Sequence, residues 1–292
     1  MTDLLATIFT LGFVAQVLRI AVPYALAAMG GAVTERSGVI DLALEAKLLF
    51  GAFTAAAVGH VTGSAVLGLV GGIAAGMAVA AIQIGCALGL RADQVIVGVA
   101  LNALALAGTR FLLQLLFGEG SNSPPCPAYG GAVFGNPIVW LTALAAIGVP
   151  FALRRTRWGL RLRAAGDRPD ALVSVGVPPT RARFAAALVG GALAGAGGAQ
   201  LSLAVGGFTA DMSSGRGYIA LAMVILSGWR PALAVLACIG VAAAEALSIA
   251  FQVTGVPVAH ELIALLPYVT TLAVLIIFGG DRRPPPRSLG RI

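Results

Sequence analysis

The chain has 292 residues, of which 59% are apolar and 11% charged, with a net charge of +7 and a mean hydropathy of +0.95. A soluble domain carries about 25% charged residues, so this composition excludes a water-soluble globule and a disordered chain, and 3 cysteines exclude a disulfide scaffold. What remains is an all-α polytopic membrane protein, whose 39 glycines suit close helix approach.

The charges sit in a few loops, so the basic balance is not a nucleic-acid signal. No Asp, Glu, Lys or Arg occurs in 48–90, 120–153, 184–210 or 262–280. About 20 apolar residues cross a bilayer core as a helix, and the backbone must pair internally there. The runs are continuously apolar and do not alternate, which argues against a β-barrel. Asp3 precedes any Lys or Arg, so the N-terminus reads as mature sequence rather than a cleaved signal peptide.

The first 33 residues allow two readings. One long span gives nine crossings with the N-terminus outside; a break at Arg19–Pro23 gives ten, with both ends inside. Further spans are expected near 38–60, 64–90, 94–117, 137–153, 184–206, 217–229, 231–251 and 261–279. Arg91, Asp93, Glu35 and Arg36 fall at inner turns. The loop 118–136 has no Lys or Arg and is placed outside. The loop 154–183 holds eight arginines, and the tail 281–292 holds Arg282, Arg283, Arg287 and Arg291, so both are placed in the cytoplasm. The span 217–229 is short and follows Gly206–Gly207, which suggests a broken or re-entrant helix beside a pathway.

Within the basic loop, 159–163 alternates apolar and basic residues, and Asp167-Arg168-Pro169-Asp170 starts a short helix over roughly 168–175. Asp167 is the expected N-cap, Pro169 lies in the first turn, and Gly176 ends the helix. This helix lies on the cytoplasmic face, either contacting anionic lipid or docking a cytoplasmic partner. The whole chain reads as one transmembrane domain, 1–292.

Several chemistries find no support. Lys47, the one lysine, has no glycine-rich lead-in for phosphate, and His60 and His260 lie 200 residues apart. Cys86 and Cys238 read as packing residues; Cys126, in the outer loop, is a candidate reactive thiol. No catalytic constellation, metal site or cofactor site is expected.

Ionisable groups inside a membrane are costly and mark candidate function. Asp41, Glu45, Asn102, Tyr218 and Glu245 are the candidate translocation path for a neutral, hydroxylated substrate. The alternative is internal bonding, such as Glu45 with Lys47 or Arg110 with a carbonyl. Gln83 and Gln200 are further intramembrane polar groups. Gly191, Gly195 and Gly198 read as packing positions. Trp140, Trp158 and Trp229 read as interfacial anchors, and Tyr218 with Phe208 as a gate near the outer end.

Five segments together resemble a known family. They are 34–45 (TERSGVIDLALE), 92–106 (ADQVIVGVALNALAL), 159–176 (GLRLRAAGDRPDALVSVG), 190–198 (GGALAGAGG) and 214–231 (SGRGYIALAMVILSGWRP). The chain resembles, over about residues 20–275, the inner-membrane permeases of bacterial ABC importers for branched-chain amino acids, ribose, other simple sugars and nucleosides. Residues 92–102 and 215–231 most resemble nucleoside importers. Near residue 40 the chain departs from the family's Asn, Gly and GLEG-like pattern, with Asp41, Ala43 and Ala46-Lys47 in their place.

The resemblance implies a non-catalytic, multi-pass subunit of the bacterial cytoplasmic (inner) membrane, working by alternating access. Its implied partners are an ABC ATPase that carries the ATP and Mg, a second homologous permease (a heterodimer rather than a homodimer), an extracytoplasmic binding protein or lipoprotein, and membrane lipid. The helix near 168–175 would be the coupling helix, with Leu172 and Val173 as apolar contacts to the ATPase and Arg168 and Asp170 as polar ones. The implied cargo is a nucleoside, purine nucleosides first. Alternatives are a simple-sugar (ribose-type) permease and an ion-coupled secondary transporter.

Overall fold

The computed structural model describes residues 10–129, 135–253 and, near the C-terminus, 265, 269–273, 276 and 284–290. Ten helices are named among them: α1 Leu11–Arg36, α2 Leu44–Thr62, α3 Ala65–Gly89, α4 Gln94–Phe117, α5 Pro137–Arg155, α6 Arg157–Asp167, α7 Pro169–Ser174, α8 Pro179–Val205, α9 Arg216–Leu226 and α10 Pro231–Val253. Seven of these are long and apolar enough to cross a membrane: α1 to α5, α8 and α10. The predicted span 261–279 lies mainly outside the described residues.

The helix ends follow from capping chemistry. Thr10 Oγ1 accepts from the Phe13 amide at α1, Asp93 Oδ1 from Val95 and Ile96 at α4, and Asn136 Oδ1 from Ile138 at α5. Left-handed glycines close α2, α4 and α8 at Gly63, Gly118 and Gly206. Helix α1 runs unbroken through Pro23, so the break at Arg19–Pro23, and with it the ten-crossing topology, is corrected. Neighbouring membrane helices tolerate the backbone bond that proline removes.

Helix α8 is the centre of the bundle and packs against α1, α2 and α3. Small residues make this possible. A Cβ on Gly76 of α3 would collide with the Gly191 carbonyl of α8, and one on Gly191 with the Gly76 carbonyl. With lipid on the outside there is little hydrophobic drive between helices, so such close backbone contact supplies the packing energy.

The basic segments share one end. Gly166 O accepts from the Ser288 amide at 2.8 Å, and Arg183 Nη2 donates to Ala165 O at 3.4 Å. Arg36 Nε donates to Trp229 O at 2.9 Å. At the opposite end His60 Nδ1 lies 2.9 Å from Pro125 O, in the loop 118–136. The loop 154–183 and the tail are therefore on the same side of the bundle, and the loop without Lys or Arg is on the other.

The basic loop holds two helices rather than one. Gly159, Leu162, Ala165 and Gly166 form a buried face on α6, which Thr156 caps through the Gly159 amide at 3.1 Å. Leu162 packs with Val33, Leu153 and Ala186. The helical spacing of these four residues was hidden by the local alternation of Arg and Leu. Asp167 is the last residue of α6, not the cap of α7, which starts at Pro169 with Arg168 in the cap position and no side-chain cap.

Candidate translocation site

Two crossings are interrupted. Residues 37–43 are non-helical between α1 and α2, and residues 206–215 between α8 and α9. The first break enters from the arginine end and the second from the opposite end. Helix α9 has 11 residues, which at 1.5 Å each is about 16 Å, roughly half a bilayer core. The segment 217–229 is thus not a full helical span; the crossing is part irregular, part helix. Such a break is tolerated where protein groups satisfy the freed backbone.

Side chains from three helices do so at the first break. Gln94 Oε1 accepts from the Ile40 amide at 2.6 Å, and Gln83 Nε2 donates to Ile40 O at 3.1 Å. Asn102 Nδ2 donates to Leu42 O at 2.8 Å, while its Oδ1 accepts from the Ala46 amide at 2.9 Å. Glu35 Oε1 accepts from the Asp41 amide at 3.3 Å, and Glu35 Oε2 from Trp229 Nε1 at 2.6 Å. Trp229 is therefore buried as a structural donor, not an interfacial anchor.

The second break is held from the loop 118–136. Ser123 N donates to Phe208 O, Ala210 N to Ser121 O, and Cys126 N to Gly206 O, all at 2.7–2.8 Å. Phe208 is buried edge-on to Phe53, 5.5 Å between centroids, and packs in the core, while Tyr218 is half-exposed. Cys126 is buried, and burial pushes its thiol above the ordinary range, so it is not the reactive thiol its loop position suggested.

The breaks meet at the N-termini of α2 and α9. Glu45 Oε1 accepts from the Gly215 amide at 2.9 Å and from Ser213 Oγ at 2.6 Å, and Oε2 from the Gly217 amide at 2.6 Å. A carboxylate is favoured there by the orphan amides and the helix dipole. Glu45 therefore does not pair with Lys47. Lys47 pairs with Asp41, both fully buried. The two charges thus neutralise each other.

Beside them, Arg216 Nη2 donates to Glu245 Oε1 at 2.6 Å, and Tyr24 hydroxyl to Glu245 Oε2 at 2.8 Å. The Arg216 guanidinium also lies 5.8 Å from the Tyr24 ring centroid. Asn102 Nδ2 reaches the Tyr218 hydroxyl at 3.1 Å. Of the five candidate residues, Glu45, Asn102 and Tyr218 are in one network, Glu245 joins beside it through Arg216, and Asp41 is buried behind with Lys47. Tyr218, 49% exposed, is the one that reaches the surface. Arg216 and Tyr24 were not foreseen. An arginine isolated in an apolar run was the available signal for the first; nothing in sequence pairs it with a glutamate 29 residues on.

Of the coupling-helix candidates, Leu172 is 5% exposed and Val173 61%. Leu172 turns into the protein, so the apolar surface of α7 is Val173 together with Val175, 70% exposed. Arg168 and Asp170 are exposed beside them. Arg110 is also exposed and is not bonded to a carbonyl among the described residues.

Residues 13–277 match the family described as branched-chain amino acid transport system / permease component. The chain belongs to this family. This permease is 32% identical over 298 residues to the guanosine ABC transporter permease protein NupQ of Bacillus subtilis, with 92% of each chain covered. It is 30% identical to the nucleoside ABC transporter permease protein NupC of Lactococcus lactis, covering 93% of each. It is 32% identical to TsgC13 of Haloferax volcanii, a permease protein named provisionally for glucose, covering 91% of each. No solved structure matches. It is an ABC importer permease, an all-α integral protein of the inner membrane.

Proposed function

We propose that this permease forms a translocation path for nucleosides, purine nucleosides first, and works by alternating access driven by ATP hydrolysis on separate ATPase subunits. One observation carries the reading. The intramembrane charges are matched, Asp41 with Lys47, Glu245 with Arg216, and Glu45 with the α9 amides, while the half-exposed Tyr218, held by Asn102, offers a hydroxyl beside them. Such a site suits a neutral solute rich in hydroxyls and amides, and the half-exposed Tyr218 ring offers a face for a base. Guanosine and nucleoside permeases among its relatives agree. The same matching argues against free carboxylates acting as ion-coupling sites.

The proposed partners are two ATPases that dock on α7, a second homologous permease, with a heterodimer favoured, and an extracytoplasmic binding protein. ATP and Mg belong to the ATPases. The docking surface is Arg168, Asp170, Val173 and Val175, with Leu172 anchoring α7 from beneath. The second reading is a simple-sugar permease, favoured by the likeness to TsgC13.

Uptake of radiolabelled guanosine and ribose in a deletion strain separates the two. The nucleoside reading expects guanosine uptake to be lost, restored by the wild-type gene and not competed by ribose. Tyr218→Phe should raise the KM for guanosine about fivefold, the loss of one hydrogen bond to substrate. Ribose uptake alone moves the protein to the sugar reading.

A further inference from the structure

The tail returns to the bundle at the arginine end. Pro286 and Ser288 are buried there, and Leu289 packs against the cluster that holds Trp229. Ser288 sits on the last turn of α6. Its amide donates to Gly166 O at 2.8 Å, and its hydroxyl lies 2.7 Å from Gly166 O and 3.0 Å from Ala165 O. The last carbonyls of a helix have no partner within it. Arg168, at the end of α6, is extended at φ −147° rather than left-handed, so no glycine-type cap closes the turn. The tail supplies the donors instead.

Further along the tail, the Gly290 amide donates to Gly38 O at 3.0 Å, in the first break. The break is shaped to receive it. Gly38 is left-handed at φ +95°, and a Cβ there would fall 2.7 Å from Ser288 Oγ. Arg183 of α8 joins the same point, donating from Nε to Ser37 O at 3.3 Å and from Nη2 to Ser288 Oγ at 3.4 Å. The tail thus bonds on one side to the turn that precedes α7, and on the other to the irregular backbone beside the candidate path. A segment that satisfies backbone groups on two elements holds them in a fixed relation, because parting them leaves those groups unpaired. We propose that the tail is a strap between the ATPase-docking loop and the first break, with Ser288 as the positioning residue through which movement of α7 reaches the path. This rests on the docking of ATPases on α7 proposed above.

The test uses the whole transporter with its partner subunits, in proteoliposomes supplied with ATP. Phosphate release is measured together with uptake of whichever of guanosine and ribose the wild type carries. Ser288→Ala should raise the phosphate released per solute imported about fivefold, the loss of one hydroxyl-to-carbonyl bond. Removal of residues 284–292 should raise it further. Arg287→Gln, at an exposed neighbour, should leave the ratio within about twofold. Co-purification of the ATPases should match wild type in all three, which separates coupling from assembly. A tail that served stability alone would lower hydrolysis and uptake together, so an unchanged ratio overturns the proposal whatever happens to the rate. If the shortened chain fails to assemble, the Ser288→Ala ratio decides. The docking reading is checked separately in the same preparation: retention of the ATPases by Val173→Arg with Val175→Arg would overturn that reading, whatever the tail variants do.

Discussion

Asp41 and Lys47 stand fully buried against each other at the non-helical segment that precedes α2. A buried pair contributes little net stability, because desolvation offsets the attraction, but breaking it leaves one bare charge. Asp41→Asn alone should therefore destabilise the permease by about 3–5 kcal/mol, and Lys47→Met alone by a similar amount. The double variant should lie within about 1–2 kcal/mol of wild type, since both charges go together. Thermal unfolding of the four proteins in one detergent checks this, and additive losses would contradict the pairing. Glu45 is a different case. Its partners are backbone amides of α9, so its removal exposes a helix terminus rather than a lone cation.

Helices α6 and α7 divide one basic loop into a docked element and a displayed one. Leu162 fastens α6 to α1, α5 and α8, and Leu172 fastens α7 beneath its exposed rim. Two kinds of substitution should then separate. Val173→Arg with Val175→Arg should abolish co-purification of the ATPase while leaving the permease in the membrane at wild-type level. Leu172→Ala should instead lower stability by about 2–3 kcal/mol, the ordinary cost of a core truncation. The loss of ATPase with Leu172→Ala at unchanged stability would reverse the assignment. Helix α9 shows the complementary lesson at its start. Its N-terminus is covered by Glu45 from α2, so the two breaks meet at one point.

Across the molecule the two ends differ in charge and so in the side they face. A membrane-impermeant maleimide should label Glu119→Cys in intact cells, because Glu119 is exposed in the loop opposite the arginines. Arg161→Cys should be labelled only after permeabilisation. The native Cys126, in the same outer loop, should stay silent in both, because it is buried and its thiol is shifted up, away from the reactive thiolate. Labelling of Arg161→Cys from outside would invert the topology.

The membrane class, the position of most spans, the separation of the basic loop from the loop 118–136 and a break near Gly206 were legible from hydropathy and charge, because a bilayer imposes its thickness and polarity on every crossing. Helix α6 was missed because its buried face repeats at helical spacing under an apparent alternation of Arg and Leu. The site was half legible. A carboxylate in an apolar run announces itself, so Glu45 and Glu245 were found, but the partner that neutralises it depends on which helices touch. Tertiary packing alone decided that Lys47 serves Asp41, that Glu45 caps α9, that Trp229 serves Glu35, and that Leu172 turns inward. Hydropathy is a property of each segment and can be read along the chain. Charge pairing and burial are properties of neighbours brought from far apart in sequence, and only the folded bundle defines them.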